Sequence, residues 1–417
     1  MSEGFRASST ERVLISSGDA LARQPQWRHR LETGQEDAND DEGDLRHKPS
    51  GRRPGAGVAL MRAAAWLQAW DAHGIHRTGT AGDKAGADWL TREATVLGAS
   101  VTFETFELSR IDPVSCWIES GGKRIEGVPV FDSPPTDPDG MTHPIAQVTL
   151  SPWAVYTPDY HAMRRASDRA GLVIVCQGAE PGLGLLNAER FREPYGCPAI
   201  QIAETPRAAP VRLVSLYRRT QAEAHNVVVT IPGRDRSRPP VVVMTPRSSW
   251  WQSTSERGGG LVCWLETLRA LIAAPPARDV VMTANSGHEL GHLGLDAFLE
   301  RRPGWDRPDG AVWVHYGANI GAAGGQLSIQ SADPPLREEM RRALVAFGQP
   351  PDTMAPEAQV PNGETRDIHL LGGRYVTLVG SNRLFHLPQD RWPHAVDVPA
   401  IERAAAGAAA MVRSLAG

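Results

Sequence analysis

The chain has few cysteines, little net charge and no long apolar run, and each of these deficits excludes a class of protein. No stretch approaches the roughly 18 apolar residues that a membrane helix needs. The net charge is -4 over 417 residues, whereas a general nucleic-acid binder is usually clearly basic. The N-terminal segment contains no apolar core and no small-residue cleavage site, so no secretory signal is predicted.

The four cysteines are widely spaced and form no Cys-x-x-Cys pair: Cys116, Cys176, Cys197 and Cys263. This usage predicts buried free thiols in a reducing compartment rather than a disulfide framework. Together with the missing signal segment, it predicts a cytoplasmic protein.

The chain is long enough for one large domain and a second, smaller one. Residues 1–54 are polar and carry an acidic run at 35–44, which predicts a disordered leader. Residues 55–112 and 220–417 are predicted to form one α/β domain. The segment 113–219 has a different texture, with short β-like runs separated by proline and glycine, and is predicted to be a small α/β insert.

Short apolar strands alternate with helical segments in the second half of the chain. Strands are predicted within 224–233, 239–246, 278–285, 311–319 and 373–381, and helices within 258–276, 293–303, 334–348 and 398–417. This alternation predicts a mixed, largely parallel sheet covered by helices on both faces. Two more amphipathic helices, at 58–74 and 83–98, precede a strand at 100–108.

Functional groups in such sheets gather at the carboxyl ends of the strands. Pro246, His288, His315 and His386 all lie just after, or near the end of, an apolar strand run. We therefore expect a site at this edge of the sheet.

Several segments, in the same order, resemble the co-catalytic zinc aminopeptidases of metallopeptidase family twenty-eight, which also contains glutaminyl cyclases. HRTGTAGDKAGADWL at 76–90 resembles the family's opening helix, and PPVVVMTPRSS at 239–249 resembles the strand that ends in His-x-Asp-Ser. SERGGG at 255–260 resembles the Asp-Asn-x-Ser-Gly helix start, the segment 278–299 the Glu-Glu-x-Gly-x-x-Gly region, and LFHLPQD at 384–390 the closing Tyr-His-x-x-x-Asp. The insert is similar to the protease-associated insert of many members.

The resemblance implies a rebuilt metal centre. Two zinc ions share a bridging Asp in the family, but the early His position is Pro246 here, and the second Asp falls near Gly317 or Ala318. Both private ligands of one ion are therefore missing. Glu256 stands at the bridging position, and Glu289 and His386 stand at the Glu and late His positions of the other ion. Three ligands and an open position are the composition of a catalytic zinc centre.

The resemblance also places His288 where the family has its general base, and a histidine suits proton transfer near neutral pH. His315 is two residues before Gly317 and faces the same side of its strand, so it is a candidate to reach the space of the missing Asp. Arg247 is a candidate to bind a substrate carboxylate through two parallel hydrogen bonds. Each residue also has a structural interpretation, such as Glu256 as an ordinary acid at a helix N-terminus. One zinc ion is expected, although Mn and Fe accept the same ligands.

Residues 288–292 also read His-Glu-x-x-His, the zincin motif in which two histidines bind zinc and the Glu is the base. The glycines at 287, 291 and 294 disfavour the helix that this motif requires. A serine hydrolase is likewise disfavoured, because the chain has no Gly-x-Ser-x-Gly elbow.

The sequence thus predicts a single-metal hydrolase of an amide or peptide-type bond in a small substrate, with no nucleic-acid or membrane partner. The alternative is a non-catalytic binding or scaffold protein on the same fold, since the loss of ligands is what decay of an active site also produces.

Overall fold

The computed structural model describes residues 56–142, 145–154, 157, 160–161, 171–189, 191–192, 196–207 and 210–417. The predicted leader, residues 1–54, lies outside them. The helices in the described part are α1 (Ala56–Ala72), α2 (Ala81–Val96), α3 (Thr254–Ala273), α4 (Leu293–Glu300), α5 (Pro334–Ala346), α6 (Thr365–Leu370) and α7 (Val398–Ala416). The strands are β1 (Val101–Ser120), β2 (Lys123–Glu126), β3 (Val128–Pro129), β4 (Ile145–Leu150), β5 (Gly171–Cys176), β6 (Ala199–Ile202), β7 (Val211–Ile231), β8 (Val241–Pro246), β9 (Val280–Asn285), β10 (Val312–Tyr316), β11 (Leu327–Gln330), β12 (Thr353–Met354) and β13 (Arg374–Gly380).

The large sheet has nine strands in the order β12-β11-β13-β10-β8-β9-β7-β1-β2. Its central strands β13, β10, β8 and β9 run parallel, and β7, β1 and β2 continue the sheet in antiparallel pairing. The mixed, largely parallel sheet predicted from the sequence is confirmed.

Alternate residues of one strand pack on opposite faces of this sheet. Val241 and Val243 of β8 join the core formed with α1, α2, α3, α5 and α7. Val242 and Met244, from the same strand, pack on the other face against residues of α4 and α6. Both faces are therefore covered by helices, which is why the strand sequences are continuously apolar.

The strands β1 and β7 form a long antiparallel ladder, from Val101 opposite Val229 to Ser120 opposite Val211, with a bulge between Pro113 and Ser115. A second sheet, in the order β3-β6-β5-β4, lies in the chain between these two strands. The predicted domain boundaries at 113 and 219 fall inside the continuous strands, close to the bulge. The likeness of this region to a protease-associated insert stays a prediction.

Three elements of the second half were not predicted: the short strands β11 and β12 and the one-turn-and-a-half helix α6. Within the described residues, every helix is too short or too polar to cross a membrane. The four cysteines are buried, as predicted.

Candidate active site

Polar side chains converge at one edge of the large sheet. Because β8, β10 and β9 are parallel neighbours, their carboxyl ends meet at the same edge. His288 follows β9 on a single 3₁₀ turn (His288–Leu290), His315 lies at the end of β10, and His386 follows β13. All three side chains are at least nine-tenths buried. These three histidines therefore lie at the edge of the sheet at which the sequence predicts a site.

Glu364 joins two of the predicted histidines. His288 Nδ1 lies 2.9 Å from Glu364 Oε1, and His315 Nε2 lies 3.2 Å from Glu364 Oε2. Gly363 makes this approach possible, since a side-chain carbon at that position would lie 3.0 Å from the His315 ring. Glu364 precedes α6, in a segment to which the sequence had assigned no element.

A third histidine, His292, lies beside this group. Its ring centroid is 5.3 Å from that of His288, and its Nδ1 is 2.6 Å from Asp367 Oδ2. Among the described residues, His288, His292 and Glu364 form a buried trio in which one ligand atom from each lies within 4.8 Å of the others. A carboxylate on one nitrogen of a histidine is also the usual support of a metal-ligating imidazole.

The charges of this trio follow from burial and from mutual contacts. Burial lowers the pKa of His288 to about 4, although Glu364 opposes the shift. Burial acts in the same direction on His292, but Asp367 outweighs it and raises the pKa of His292 to about 9. Burial raises the pKa of Glu364, yet His288 and His315 hold that pKa well below its ordinary value. At neutral pH the Glu364 carboxylate is thus ionised.

Glu256 and His386 form a second pair at the same edge. His386 Nε2 lies 3.4 Å from Glu256 Oε1, and both side chains are buried. Arg257 Nη2 lies 2.7 Å from the same Oε1. Burial raises the pKa of Glu256, but Arg257 and His386 lower it more, to about 2. Glu256 is therefore a buried anion at neutral pH.

The tautomer of His386 follows from its second contact. Its Nδ1 hydrogen-bonds the Leu185 carbonyl, which only accepts, so Nδ1 carries a proton. In the neutral ring, the lone pair of Nε2 would then face the Glu256 carboxylate. Two acceptors in contact repel each other, and the cation that the structure places beside them is the Arg257 guanidinium, 2.7 Å from Oε1.

Glu289 faces a different set of partners. Its Oε1 accepts hydrogen bonds from the Thr78 amide (2.7 Å) and hydroxyl (2.8 Å), and its Oε2 accepts one from the Ser248 hydroxyl (2.6 Å). Burial raises the pKa of Glu289, and the Ser248 and Thr78 hydrogen bonds oppose the shift. Both carboxylate oxygens are occupied by protein donors, so Glu289 has the surroundings of a structural carboxyl.

Arg247 is fully buried in a network of its own. Its Nη1 lies 2.8 Å from Asp83 Oδ1, and its Nη2 donates to the His225 carbonyl at 2.7 Å. The structure therefore places this guanidinium among protein acceptors. A substrate-binding role for Arg247 stays a prediction from the sequence and does not enter the function proposed below.

The two candidate metal sets differ in fit. Glu256 and His386 are neighbours, but the predicted third ligand, Glu289, is engaged by Thr78 and Ser248, and these three do not form a trio within 4.8 Å. His288, His292 and Glu364 do form one. The His-Glu-x-x-His segment is a 3₁₀ turn flanked by left-handed glycines rather than a zincin helix. It nevertheless brings its two histidines together.

Sequence reasoning missed Glu364, Asp367 and Arg257. Glu364 and Asp367 lie in a loop-rich stretch with no periodic pattern. Their only sequence signal is that the two acids are three residues apart and are followed by a short apolar run. Arg257 stands beside Glu256 in the glycine-rich helix start. Its sequence signal is an arginine between an acid and three glycines at the start of a helix.

The whole fold is similar to solved aminopeptidase structures. The zinc aminopeptidase BSAP from Bacillus subtilis has a TM-score of 0.68 at 16% identity, over 85% of this chain and 95% of that one. The aminopeptidase from Aneurinibacillus sp. strain AM-1 has 0.65 at 11% identity, over 85% and 93%. A peptidase M28 precursor from Shewanella amazonensis has 0.65 at 14% identity, over 87% and 97%. No family model matches the sequence, and no curated protein matches it. These likenesses show that the chain has the zinc aminopeptidase fold.

Proposed function

We propose that this protein is a metal-dependent hydrolase of an amide or peptide-type bond in a small substrate, with one divalent metal ion, zinc by preference, in the buried trio of His288, His292 and Glu364. The observation that carries the proposal is the convergence of two imidazoles and one carboxylate within 4.8 Å at the carboxyl edge of the sheet. Two further facts support it: the aminopeptidase-type fold, and Asp367 against His292 at 2.6 Å.

The donor chemistry of the trio suits a transition metal. Imidazole and carboxylate are common zinc ligands, and three protein ligands leave a coordination position open. His288 has a pKa of about 4 and is neutral at pH 7, as a ligand must be. His292 carries a proton that the metal displaces on binding. A bound divalent metal supplies Lewis-acid chemistry, which polarises a carbonyl and lowers the pKa of water.

The protein's own residues handle the protons. Hydrolysis adds a water oxygen to the carbonyl carbon and breaks the C–N bond; one water proton replaces the proton that the leaving nitrogen takes from the protein, and the other leaves with the acid product. We assign the proton that the nitrogen takes to His386 Nε2, where Glu256 Oε1, 3.4 Å away, holds it. The Leu185 carbonyl fixes the ring through Nδ1. General acid catalysis by a positioned group of this kind contributes about 10²- to 10⁴-fold to the rate.

The experiment is a hydrolysis assay on a panel of amino-acid 4-nitroanilides and N-acylated amino acids. We expect turnover that a chelator abolishes and that zinc restores. His386→Gln should lower kcat by about 10²-fold or more while metal content stays unchanged. His394→Gln is the control, because His394 is an exposed histidine. Metal-replete protein that turns over no member of the panel would contradict the proposal and favour the non-catalytic binding protein.

A further inference from the structure

Arg257 is a buried cation whose donors are only partly used. Its Nε donates to the Ser248 carbonyl at 2.7 Å, and its Nη2 lies 2.7 Å from Glu256 Oε1. The contact with Glu256 is close but not aligned as a hydrogen bond, and Nη1 and Nη2 have no hydrogen-bond partner among the described residues. The side chain is fully buried. The guanidinium is thus fixed by its Nε and by an ion pair, with its terminal N–H groups unfilled.

Such an arrangement is costly unless a ligand completes it. A buried donor left unsatisfied costs about 1–3 kcal/mol, and a charged one costs more. Other arginines in the core do not share the deficit at both terminal nitrogens: Arg278 donates through Nη1 to the Pro239 carbonyl and through Nε and Nη2 to the Leu415 carbonyl. Arg257 therefore differs from a structural arginine because both of its terminal nitrogens lack a hydrogen-bond acceptor in the described part of the chain.

The position of Arg257 limits what the ligand is. It lies next to Glu256 and near enough to His288 for its charge to oppose protonation of that ring. Glu256 offsets part of its charge, so what Arg257 offers a ligand is mainly the N–H groups of its two terminal nitrogens. Those groups suit an oxygen that carries negative charge, including a carbonyl oxygen that acquires this charge during the reaction.

We propose that Arg257 is a catalytic residue that donates from its terminal nitrogens to the substrate carbonyl oxygen and stabilises the oxyanion that forms there. This inference rests on the function proposed above and adds a residue to it. When water attacks, the π electron pair of the C=O bond moves onto the oxygen beside Arg257. The pair returns when the C–N bond breaks, and the nitrogen leaves with the proton from His386. Preorganised donors of this type are usually the largest single contribution to such catalysis.

The test measures binding rather than turnover. The probe is methylphosphonate, a small tetrahedral anion that mimics the oxyanion, and acetamide is the neutral counterpart. We expect the wild-type protein to prefer methylphosphonate, and we expect Arg257→Gln to weaken that binding about 10-fold or more. Arg257→Lys keeps the charge but loses the forked pair of donors. Its affinity for methylphosphonate should therefore lie between those of the wild type and Arg257→Gln. Arg278→Gln is the control for losing a buried arginine and should bind the probe as the wild type does.

Calorimetry on metal-loaded and metal-free protein separates the outcomes. An Arg257-dependent preference in protein that binds no metal would contradict the proposed function, and with it the catalytic role of Arg257, while still showing that Arg257 binds an anionic oxygen. Metal-loaded protein whose preference survives Arg257→Gln unchanged would remove this inference alone. Wild-type protein that binds methylphosphonate no better than acetamide also overturns it, and that comparison does not depend on any variant folding.

Discussion

At the scale of single residues, the buried charges differ in how many of their polar atoms are hydrogen-bonded. Glu289 accepts from three donors, and both terminal nitrogens of Arg247 have acceptors, although Arg247 Nε and Asp83 Oδ1 have no hydrogen bond in the described part of the chain. Glu256 contacts both Arg257 and His386, yet both of its oxygens and both terminal nitrogens of Arg257 lack a hydrogen bond among the described residues. This larger deficit is why the proposals above concern Arg257, Glu256 and His386 rather than Arg247 and Glu289.

Arg247→Met should destabilise the fold by about 3–5 kcal/mol, because it leaves Asp83 as a buried charge without its cation. Asp83 is 2% exposed, so bulk solvent reaches it too little to replace the guanidinium. Urea unfolding measures the change. Arg269→Met, which removes an exposed partner of Glu266, should cost at most about 1 kcal/mol. A loss below about 1 kcal/mol in Arg247→Met would show that the pair is not structural.

At the scale of elements, the start of α3 organises half of the site. Its N-terminal amides are capped by a distant side chain: Asp390 accepts from the Ser255 amide and hydroxyl (both 2.8 Å) and from the Glu256 amide (3.0 Å). Asp390 lies four residues after His386. The same carboxyl group therefore fixes the loop that carries His386 to the helix that carries Glu256.

Asp390 gives the fold a specific pH dependence. Burial, with Glu256 nearby, raises its pKa from 3.8 to about 7, although the Ser255 bonds oppose the shift. The native state therefore binds a proton that the unfolded chain has released between pH 4 and 7. The free energy of unfolding should fall across that window by up to about 4 kcal/mol and level off above it.

In Asp390→Asn this fall should be missing from unfolding curves measured at several pH values. Asp397→Asn is the control: it keeps a good N-cap on α7 and should leave the fall between pH 4 and 7 as in the wild type. A fall in Asp390→Asn as steep as in the wild type would assign the pH dependence to other groups.

The elements themselves were largely readable from the sequence, since continuous apolar strands such as β8 and β9 alternate with helices of ordinary length. The lengths of β1 and β7 were not, because their outer halves are half-exposed and interrupted by Pro113 and the bulge. Helix α6 was missed because six residues are too few to show a helical period. Short elements of this kind are set by tertiary packing, here of Ile368 against the sheet.

At the scale of the whole molecule, the candidate site is contacted by the chain segment between β5 and β6 of the smaller sheet. In that segment, the Leu185 carbonyl hydrogen-bonds His386, Asn187 accepts from Trp250 Nε1 at 3.0 Å, and the Ala188 amide donates to the Glu289 carbonyl at 2.9 Å. This segment thus contributes to the position of His386.

That His288, His315 and His386 lie at one edge of the sheet was predictable, because parallel strands bring their carboxyl ends together. The partners were not, because sequence pattern contains no distances. Glu289 and Arg247 are 211 and 164 positions from their contacts at Thr78 and Asp83, and only the fold shows those contacts. Glu364 entered the site from a loop for the same reason.

The most direct measurement is metal content of the purified, metal-replete protein by mass spectrometry, for the wild type and four variants. We expect about one transition-metal ion per chain in the wild type, loss of that ion in His292→Ala and Glu364→Gln, and retention in Glu289→Gln and His386→Gln. Loss confined to Glu289→Gln and His386→Gln would instead support the ligand set predicted from the sequence. No metal in the wild type would contradict a metal-dependent hydrolase altogether.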